Sequence, residues 1–589
     1  MDLLKYSIIA DAYENIESTS KRLEMTNHLV KLIKQTPKDL LSKVAYLTQG
    51  KLHPDFDGVE IGMAEQMVIM CLVKISGKKK AELIKTWKII GDLGSTADKL
   101  LSDQYTIKLI TGVPLTVEKV YNTLDKIAHI SGKGTVRIKI RLLANLLMDA
   151  TSKEARYLVR TVMGKLRLGI GDMTFLDALA IAYGEGKSSR VDVERAYNMS
   201  SDLGLVSETL ANEGLDGIRI FRIRIGRPIR PMLCGRLTTA DEILKKLGGR
   251  GSAEFKYDGL RLQAHITSKG ISLFSRRLEN ITSQFPDVIE SLASSVNADE
   301  LIVEGECVAI DPNTDELLPF QVVTQRRGRK YDLKRMIEKI PVVLILFDAL
   351  YVDGKSLIDH PYLERRRILK KTVRETNGIR VTNPLIIDNP VELDKLIDTA
   401  TETGYEGLVI KAIGSNSIYQ AGARGFLWIK YKREYRSEMA DTVDLVVVGA
   451  FAGRGRRAGT YGALLMASYD EELDTFKTVC KLGTGFDDVT LAKLPKIFEA
   501  DRIDHAHPRV ESKIKADFWF VPRKVLELFG SELTLSPSHT CGLNIIRTGV
   551  GLAIRFPRFA GKWRDDKASE DATTVNEIIS MYRSQLKHV

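Results

Sequence analysis

The chain has 589 residues, too many for one ordinary core, and the length alone points to about three to four domains. Apolar residues make up 44%, enough to bury real cores in a multidomain soluble protein, while 87 Lys plus Arg against 76 Asp plus Glu leave a net charge of +11; that excess favours a polyanionic partner, although a solvated basic surface accounts for it equally well on composition alone. No apolar run approaches the roughly 18 to 20 residues of a membrane helix, and the five scattered cysteines, Cys71, Cys234, Cys307, Cys480 and Cys541, support neither a disulfide framework nor a CxxC-type zinc site.

The first third reads as helical. In "TNHLVKLIKQTPKDLLSKVAYLT" apolar residues recur at three- and four-residue intervals, with Thr36 expected as an N-cap and Pro37 at the first helical position. Thr151 followed by Glu154 predicts a capping box ahead of "ARYLVRTVMGKLRLGIGD". That segment ends in a basic loop with Lys165, Arg167, Gly169 and Gly171, which reads as an interhelix turn or, alternatively, as a grip for phosphates. "FRIRIGRPIRPMLCG" changes the rhythm to alternation, and Pro228 and Pro231 exclude a continuing helix; the first domain boundary is placed there, giving a helical domain over 1–226.

Residues 232–435 mix the two periods. "GLRLQAHIT", "ISLFS", "ELIVEGECVAI", "PVVLILFDALYV" and "EGLVIKAI" read as strands, and "YLERRRILKKTV" and "PVELDKLIDTA" as helices, which makes an α+β domain of catalytic size. From 436 to 589 the pattern returns to strand and turn: "TVDLVVVGAF", "ALLMASY" and "FKTVCKLGTG" as strands, the Gly/Arg-rich "AGRGRRAGTYG" as a loop or hairpin, and "TTVNEIISMYRSQL" as a closing helix. These suit a small β-barrel.

One stretch of the middle region bears on chemistry. In "EFKYDGLR", Lys256 lies between Glu254 and the turn signal Tyr257-Asp258-Gly259, with Arg261 following. Alone, this is an ordinary turn. Along the chain, however, it is followed by "SRRLENITSQFPD" from Ser275, "VEGE" ending in Glu306, "FDALYVDG" from Phe347, "EGLVIK" from Glu406, "WIKYK" from Trp428 and "RFPRFAGKWRDDK" from Arg555. This ordered set resembles the nucleotidyltransferase motifs of the ATP-dependent DNA ligases, and the helical first third resembles the archaeal and eukaryotic replicative type. "GKLRLGIGDMTFLDALA" is similar to that family's DNA-binding domain and "DTVDLVVVGAFAGRGRRAGTYG" to its C-terminal barrel, so the likeness covers nearly the whole chain.

The resemblance implies an all-α DNA-binding domain, an α+β nucleotidyltransferase (adenylation) domain and a β-barrel OB-fold. It implies a nick-sealing enzyme of DNA replication, repair and recombination that uses ATP and Mg²⁺ or another divalent cation. Lys256 matches the nucleophile, which must be neutral to attack the α-phosphorus. Glu254 matches the reader of the adenine amino group, Phe347 the ring that sandwiches the base, and Arg261, Arg276 and Arg424 nucleotide-contacting arginines. Lys430 and Lys432 match phosphate-binding lysines, Glu306 a carboxylate near the ribose and metal, and Glu406 a second metal-supporting carboxylate. The family's R-x-D-K pattern is met by Arg564, Asp566 and Lys567, facing pyrophosphate, and Arg555 and Arg558 also match. The intervening Ala560, Gly561, Lys562 and Trp563 depart from the family's pattern. Asp258 is assigned either to metal or hydroxyl positioning or to the turn itself.

The partners implied are nicked duplex DNA, read through phosphates rather than bases, and a sliding clamp as a candidate. A monomer is expected, with no membrane, in the cytoplasm of a prokaryote or the nucleus of a eukaryote. RNA ligases and capping enzymes share the nucleotidyltransferase plan but usually lack so long a helical domain, and the zinc module of NAD-dependent ligases needs clustered cysteines. A noncatalytic nick-binding protein of the same fold is the rival from another class.

Overall fold

The structure, a computed structural model, describes residues 4–102, 114–310, 317–318, 320–326, 333–402, 405–432, 442–453, 457, 459–530, 532–555 and 557–587. The chain divides into two compact units, one of residues 1–83 and 93–432, the other of 84–92 and 433–589.

The helix-spaced apolar residues at the start of the first unit form helices such as Tyr6–Glu17 and Arg22–Gln35, each burying one face, and Ser152–Val162, whose second half is buried all round. The capping box at Thr151 forms: its hydroxyl accepts from Glu154 N at 3.2 Å, and the Glu154 carboxylate accepts from Thr151 N at 2.8 Å. Thr36 is not an N-cap. A residue before proline is driven out of the helical region, so Thr36 stops the preceding helix and donates its hydroxyl back to Leu32 O at 2.8 Å; Pro37 leads a 3-10 turn, Lys38–Leu40, before the next helix begins at Leu41. The basic loop after Val162 is an interhelix connection, plugged into the core by Leu166 and Leu168.

The alternating segment at 220–232 does not become a strand. Two of its residues are prolines and cannot donate to a ladder; its polar backbone is satisfied by side chains on both flanks instead. Gln263 accepts from Ile229 N at 2.7 Å and donates to Ile229 O at 3.0 Å, while Gly226 N donates to His265 Nδ1 at 2.9 Å. Burial pushes the His265 imidazole down to about 3, so the ring is neutral and free to accept. On the helical side Ser201 donates to Pro228 O at 2.6 Å, and Arg230 donates to the Tyr197 hydroxyl at 2.7 Å.

Two sheets follow. The first runs β1-β11-β10-β2-β9, where β1 is Leu233–Arg236, β2 Gly251–Lys256, β9 Leu385–Ile387, β10 Gly407–Lys411 and β11 Arg424–Tyr431. The second runs β4-β3-β5-β6-β7 with β8 alongside β6, from β3 Leu260–Thr267, β4 Gly270–Ser275, β5 Glu300–Ala309, β6 Val342–Val352, β7 Lys355–Ser356 and β8 Ile379–Val381. Period-2 alternation gives each sheet an apolar face for its helices. Ile243 and Ile397 from helices Ala240–Lys246 and Pro390–Glu402 pack on Leu408, Ile410 and Ile429, and Leu292 and Leu369 from helices Pro286–Ser295 and Tyr362–Thr372 pack on the second sheet. A third cluster, with Trp428, Tyr419, Ile302 and Leu350, joins β11 to β5 and β6 and takes in Met199 of the helical region.

The second unit is β-rich. Its main sheet follows the order β15-β17-β12-β13-β14-β16, from β12 Val443–Ala452, β13 Tyr461–Asp470, β14 Thr475–Leu482, β15 Arg502–Ile503, β16 Val510–Glu511 and β17 Phe518–Phe520. β18, Val525–Phe529, pairs with β12 and with β21, Arg558–Trp563; β19, Glu532–Ser536, and β20, Gly551–Arg555, form a separate ribbon. Helices Asp488–Ile497 and Val575–Lys587 pack on its core. Part of the Gly/Arg-rich segment expected as a loop or hairpin lies outside the described residues, and the strands it joins, β12 and β13, pair antiparallel. The five cysteines are unbonded, four of them buried, and no described helix is long and apolar enough to cross a membrane.

The pair Arg365–Asp348 is wholly buried, with two parallel bonds of 2.9 Å, and Arg365 also donates to His360 O and Ser417 O. Asp348→Asn strands that guanidinium. It is expected to cost about 3–5 kcal/mol, read as an earlier urea midpoint, whereas the double change Asp348→Leu with Arg365→Met is expected to cost less.

Candidate active site

Along β2 successive side chains alternate, so Ser252, Glu254 and Lys256 share one face and Phe255 lies on the other, stacked on Tyr405 at 4.5 Å among the helix-covered core. Lys256 ends the strand opposite Gly407, and Glu406 N donates to Lys256 O at 2.9 Å. The Glu406 carboxylate is thereby set between two lysines: Oε2 takes Lys256 Nζ and Oε1 takes Lys432 Nζ. Burial would raise the Glu406 carboxyl, but Lys256 and Lys432 outweigh it and hold it below the ordinary value.

Two glycines make the approach possible. Gly407 has φ +139°, and a Cβ there would run into the Tyr431 carbonyl oxygen of β11. A Cβ on Gly259, in the turn after Lys256, would stand 2.6 Å from Cys307 O and 2.8 Å from Glu306 Cγ, so the bare turn lets β5 bring Glu306 alongside. Burial pushes the Glu306 carboxyl up to about 7; Lys256 and Arg261 pull it down, and Glu406 and Asp258 add to the rise. Asp258 itself accepts from Phe320 N at 3.1 Å. Glu306 and Glu406 thus neighbour the same lysine, but among the described residues no group of three or more His, Cys, Asp or Glu forms a ready metal cage.

Glu254 is deeply buried, its Oε1 taking both Lys411 Nζ at 2.9 Å and the Tyr362 hydroxyl. Phe347 stands next to them: its ring lies 4.9 Å from Lys411 Nζ and 5.3 Å from the Arg261 guanidinium, edge-on to Trp428. Arg261 is bonded to Glu304 and to Met232 O, each at 2.8 Å. Lys430, half-buried, shares the face of β11 that carries Trp428; burial raises the nearby Cys234 thiol, against the pull of Arg261, Lys411, Lys256 and Lys430. Arg276 is exposed just after β4, in a cleft with Arg261 and Glu304, and Arg424 is exposed at the start of β11.

In the second unit, Arg564 and Lys567 both bond Asp444, at 2.7 and 2.8 Å, and Arg564 also holds Asp566, drawing that carboxyl well below its usual range. Arg558 lies on β21, exposed; the side chain of Arg555 lies outside the described residues.

Three family descriptions match in succession: DNA ligase N terminus over residues 5–180, ATP dependent DNA ligase domain over 231–432, and ATP dependent DNA ligase C terminal region over 457–567. The chain belongs to the ATP-dependent DNA ligase family. It is 53% identical to DNA ligase 2 of Thermofilum pendens over 99% of this chain and 98% of that one. It is 49% identical to the DNA ligase of Staphylothermus marinus over 98% of each, and 50% identical to the probable DNA ligase of Aquifex aeolicus over 99% of each. The solved structure titled Pmar-Lig_Pre. matches its fold over 94% of this chain and 99% of that one, with a TM-score of 0.56 at 16% identity.

Of the residues expected from this ligase sequence, Glu254, Lys256, Arg261, Glu306, Phe347, Glu406, Lys430 and Lys432 converge in the first unit, with Arg276 and Arg424 exposed on the same two sheets; Arg564, Asp566 and Lys567 form a cluster of their own in the second. Sequence reasoning missed Glu304, which holds Arg261, and Lys411 and Tyr362, which hold Glu254, together with the buried Arg365 that pairs with Asp348. The available signal was a charge inside an apolar strand, as in "LIVEGE" and "LVIKAI", because such a charge must find a buried partner.

Gly407→Ala is expected to part β10 from β11 and cost roughly 1–3 kcal/mol, with an earlier denaturation midpoint. Gly171→Ala, in open space at φ −112°, is expected to leave the midpoint unchanged.

Proposed function

We propose that this protein seals nicks in duplex DNA with Lys256 as its nucleophile. The observation that carries the reading is the position of Lys256, at the mouth of β2 with Glu406 and Lys432 bonded into one group and Glu306 beside it. In the first step Lys256 Nζ, as the free amine, bonds to the α-phosphorus of ATP; the bond to the β-phosphate oxygen breaks, pyrophosphate leaves and the amine proton is lost. In the second, the AMP passes from lysine to the 5′-phosphate of the nick. In the third, the 3′-hydroxyl attacks that activated phosphate, forms the phosphodiester and releases AMP.

Lys432 and Lys430 place positive charge beside the reacting phosphate, and Arg564 and Lys567 offer cations for pyrophosphate on a C-terminal unit we read as an OB-fold. Glu254, with Oε1 held by Lys411 and Tyr362, keeps Oε2 to accept from the adenine amino group, and Phe347 supplies the ring for the base. The oxygen donors fit a hard divalent cation such as Mg²⁺: among the described residues no hydrogen bond engages the Glu306 carboxylate, and its burial makes a bare charge costly. Glu306 and Glu406 would hold that ion, with phosphate oxygens and water completing its shell. Bound there, the ion supplies neutralisation of phosphate charge. The surplus of 11 positive charges suits a duplex gripped by its phosphates.

With α-phosphate-labelled ATP and Mg²⁺, wild type is expected to retain label after denaturation and Lys256→Ala to retain none. A folded, adenylate-free wild type that takes no label would leave the noncatalytic nick-binding reading. Because Glu306 titrates near 7 in the ion-free protein, Mg²⁺ must displace a proton below that pH and none above it. The Mg²⁺ concentration needed for half-maximal labelling is therefore expected to rise about tenfold per unit as pH falls below 7, and this slope is expected to flatten in Glu306→Gln.

A further inference from the structure

Behind the Lys411–Glu254 pair lies a cation with no counter-charge paired to it among the described residues. Arg366, on the buried face of helix Tyr362–Thr372, is 4% exposed. Only its Nη2 is bonded, to Thr382 O; Nε and Nη1 are buried with no acceptor among the described residues, and no carboxylate pairs with it. Its neighbours are already committed. Asp348 is taken by Arg365, and Glu254 by Lys411 and Tyr362. The phenols of Tyr362 and Tyr257, both in the field of Arg366, stay neutral because burial raises each of them.

Two further donors of this domain lie buried and unpaired among the described residues. Thr382 Oγ1 belongs to the residue whose carbonyl Arg366 bonds, and Ser252 Oγ stands on β2 directly across from Lys411, on the face that carries Glu254. Thr382 and Ser252 are 3% and 0% exposed, so a ligand that reached these hydroxyls would have to be small. The buried side chains here sum to +1: Arg365, Arg366 and Lys411 against Asp348 and Glu254. A guanidinium out of water with no counter-charge costs several kcal/mol, and water brings no charge to offset it.

We propose that Arg366, with the hydroxyls of Thr382 and Ser252, binds a small monovalent anion of the halide class, chloride in the cell, between the two sheets. The anion neutralises Arg366 and keeps it from competing with Lys411 for Glu254, so the site holds the carboxylate of β2 in register from behind. The donors are of one kind: guanidinium N–H and hydroxyl O–H, with no acceptor among them other than the hydroxyl oxygens.

The full-length protein is to be melted in potassium chloride against potassium glutamate at constant ionic strength and crystallised with sodium bromide. The expected results are a saturable rise in the unfolding midpoint with chloride, roughly 2–5 °C at about ten times the dissociation constant, and an anomalous bromide peak within hydrogen-bond reach of Arg366 Nε or Nη1. Arg366→Met is expected to abolish both. If that variant does not fold, Thr382→Val and Ser252→Ala are each expected to shift the chloride response to at least threefold higher concentration. A water at that position in the bromide crystals, or a midpoint that follows ionic strength and ignores the anion's identity, overturns the proposal.

Discussion

The organisation of the first unit depends on one constraint: charges set on the faces of strands that other elements cover must be compensated where they stand. Lysines 256 and 432 come from different strand ends and share Glu406, which binds β2, the start of β10 and the end of β11 into one electrostatic unit. The same rule repeats inward, with Lys411 on Glu254, Arg261 on Glu304 and Arg365 on Asp348. Replacing such pairs with packed apolar residues often costs nothing in stability. Here they place charge at defined positions between two sheets.

The pairs also set a gradient. At the strand ends, Lys256 and Glu406 remain about a quarter exposed and open to a ligand, whereas Lys411 and Glu254 behind them are almost completely covered. The charges at the strand ends are therefore partly hydrated, while the carboxylate behind them is fixed by partners that are themselves buried.

Much of this was legible in the sequence. The nearly continuous apolar run "PVVLILFDALYV" marked strand β6, and the order of short motifs marked which charges belong together, because most of those motifs lie on or beside strands of the two sheets. What was not legible follows from physics that periodicity ignores. Thr36 was misassigned because the constraint a proline puts on its predecessor ended one helix without starting another. The alternation at 220–232 marked a boundary between domains but gave no sign that Gln263 and His265 would take over the bonding of its backbone. The partners Glu304, Tyr362 and Arg365 depend on contacts more than fifty residues apart, which no local window contains.

The segment at 220–232 is tied down on both sides. A linker bonded to helices on one flank and to β3 on the other is a splint, since it has no slack to absorb rotation. It runs directly into β1, which lies parallel to β11 with Arg236 opposite Lys430. Any load on the helical region is therefore delivered, residue by residue, to the strand that carries the lysines, much as a wrench delivers torque to the bolt it grips.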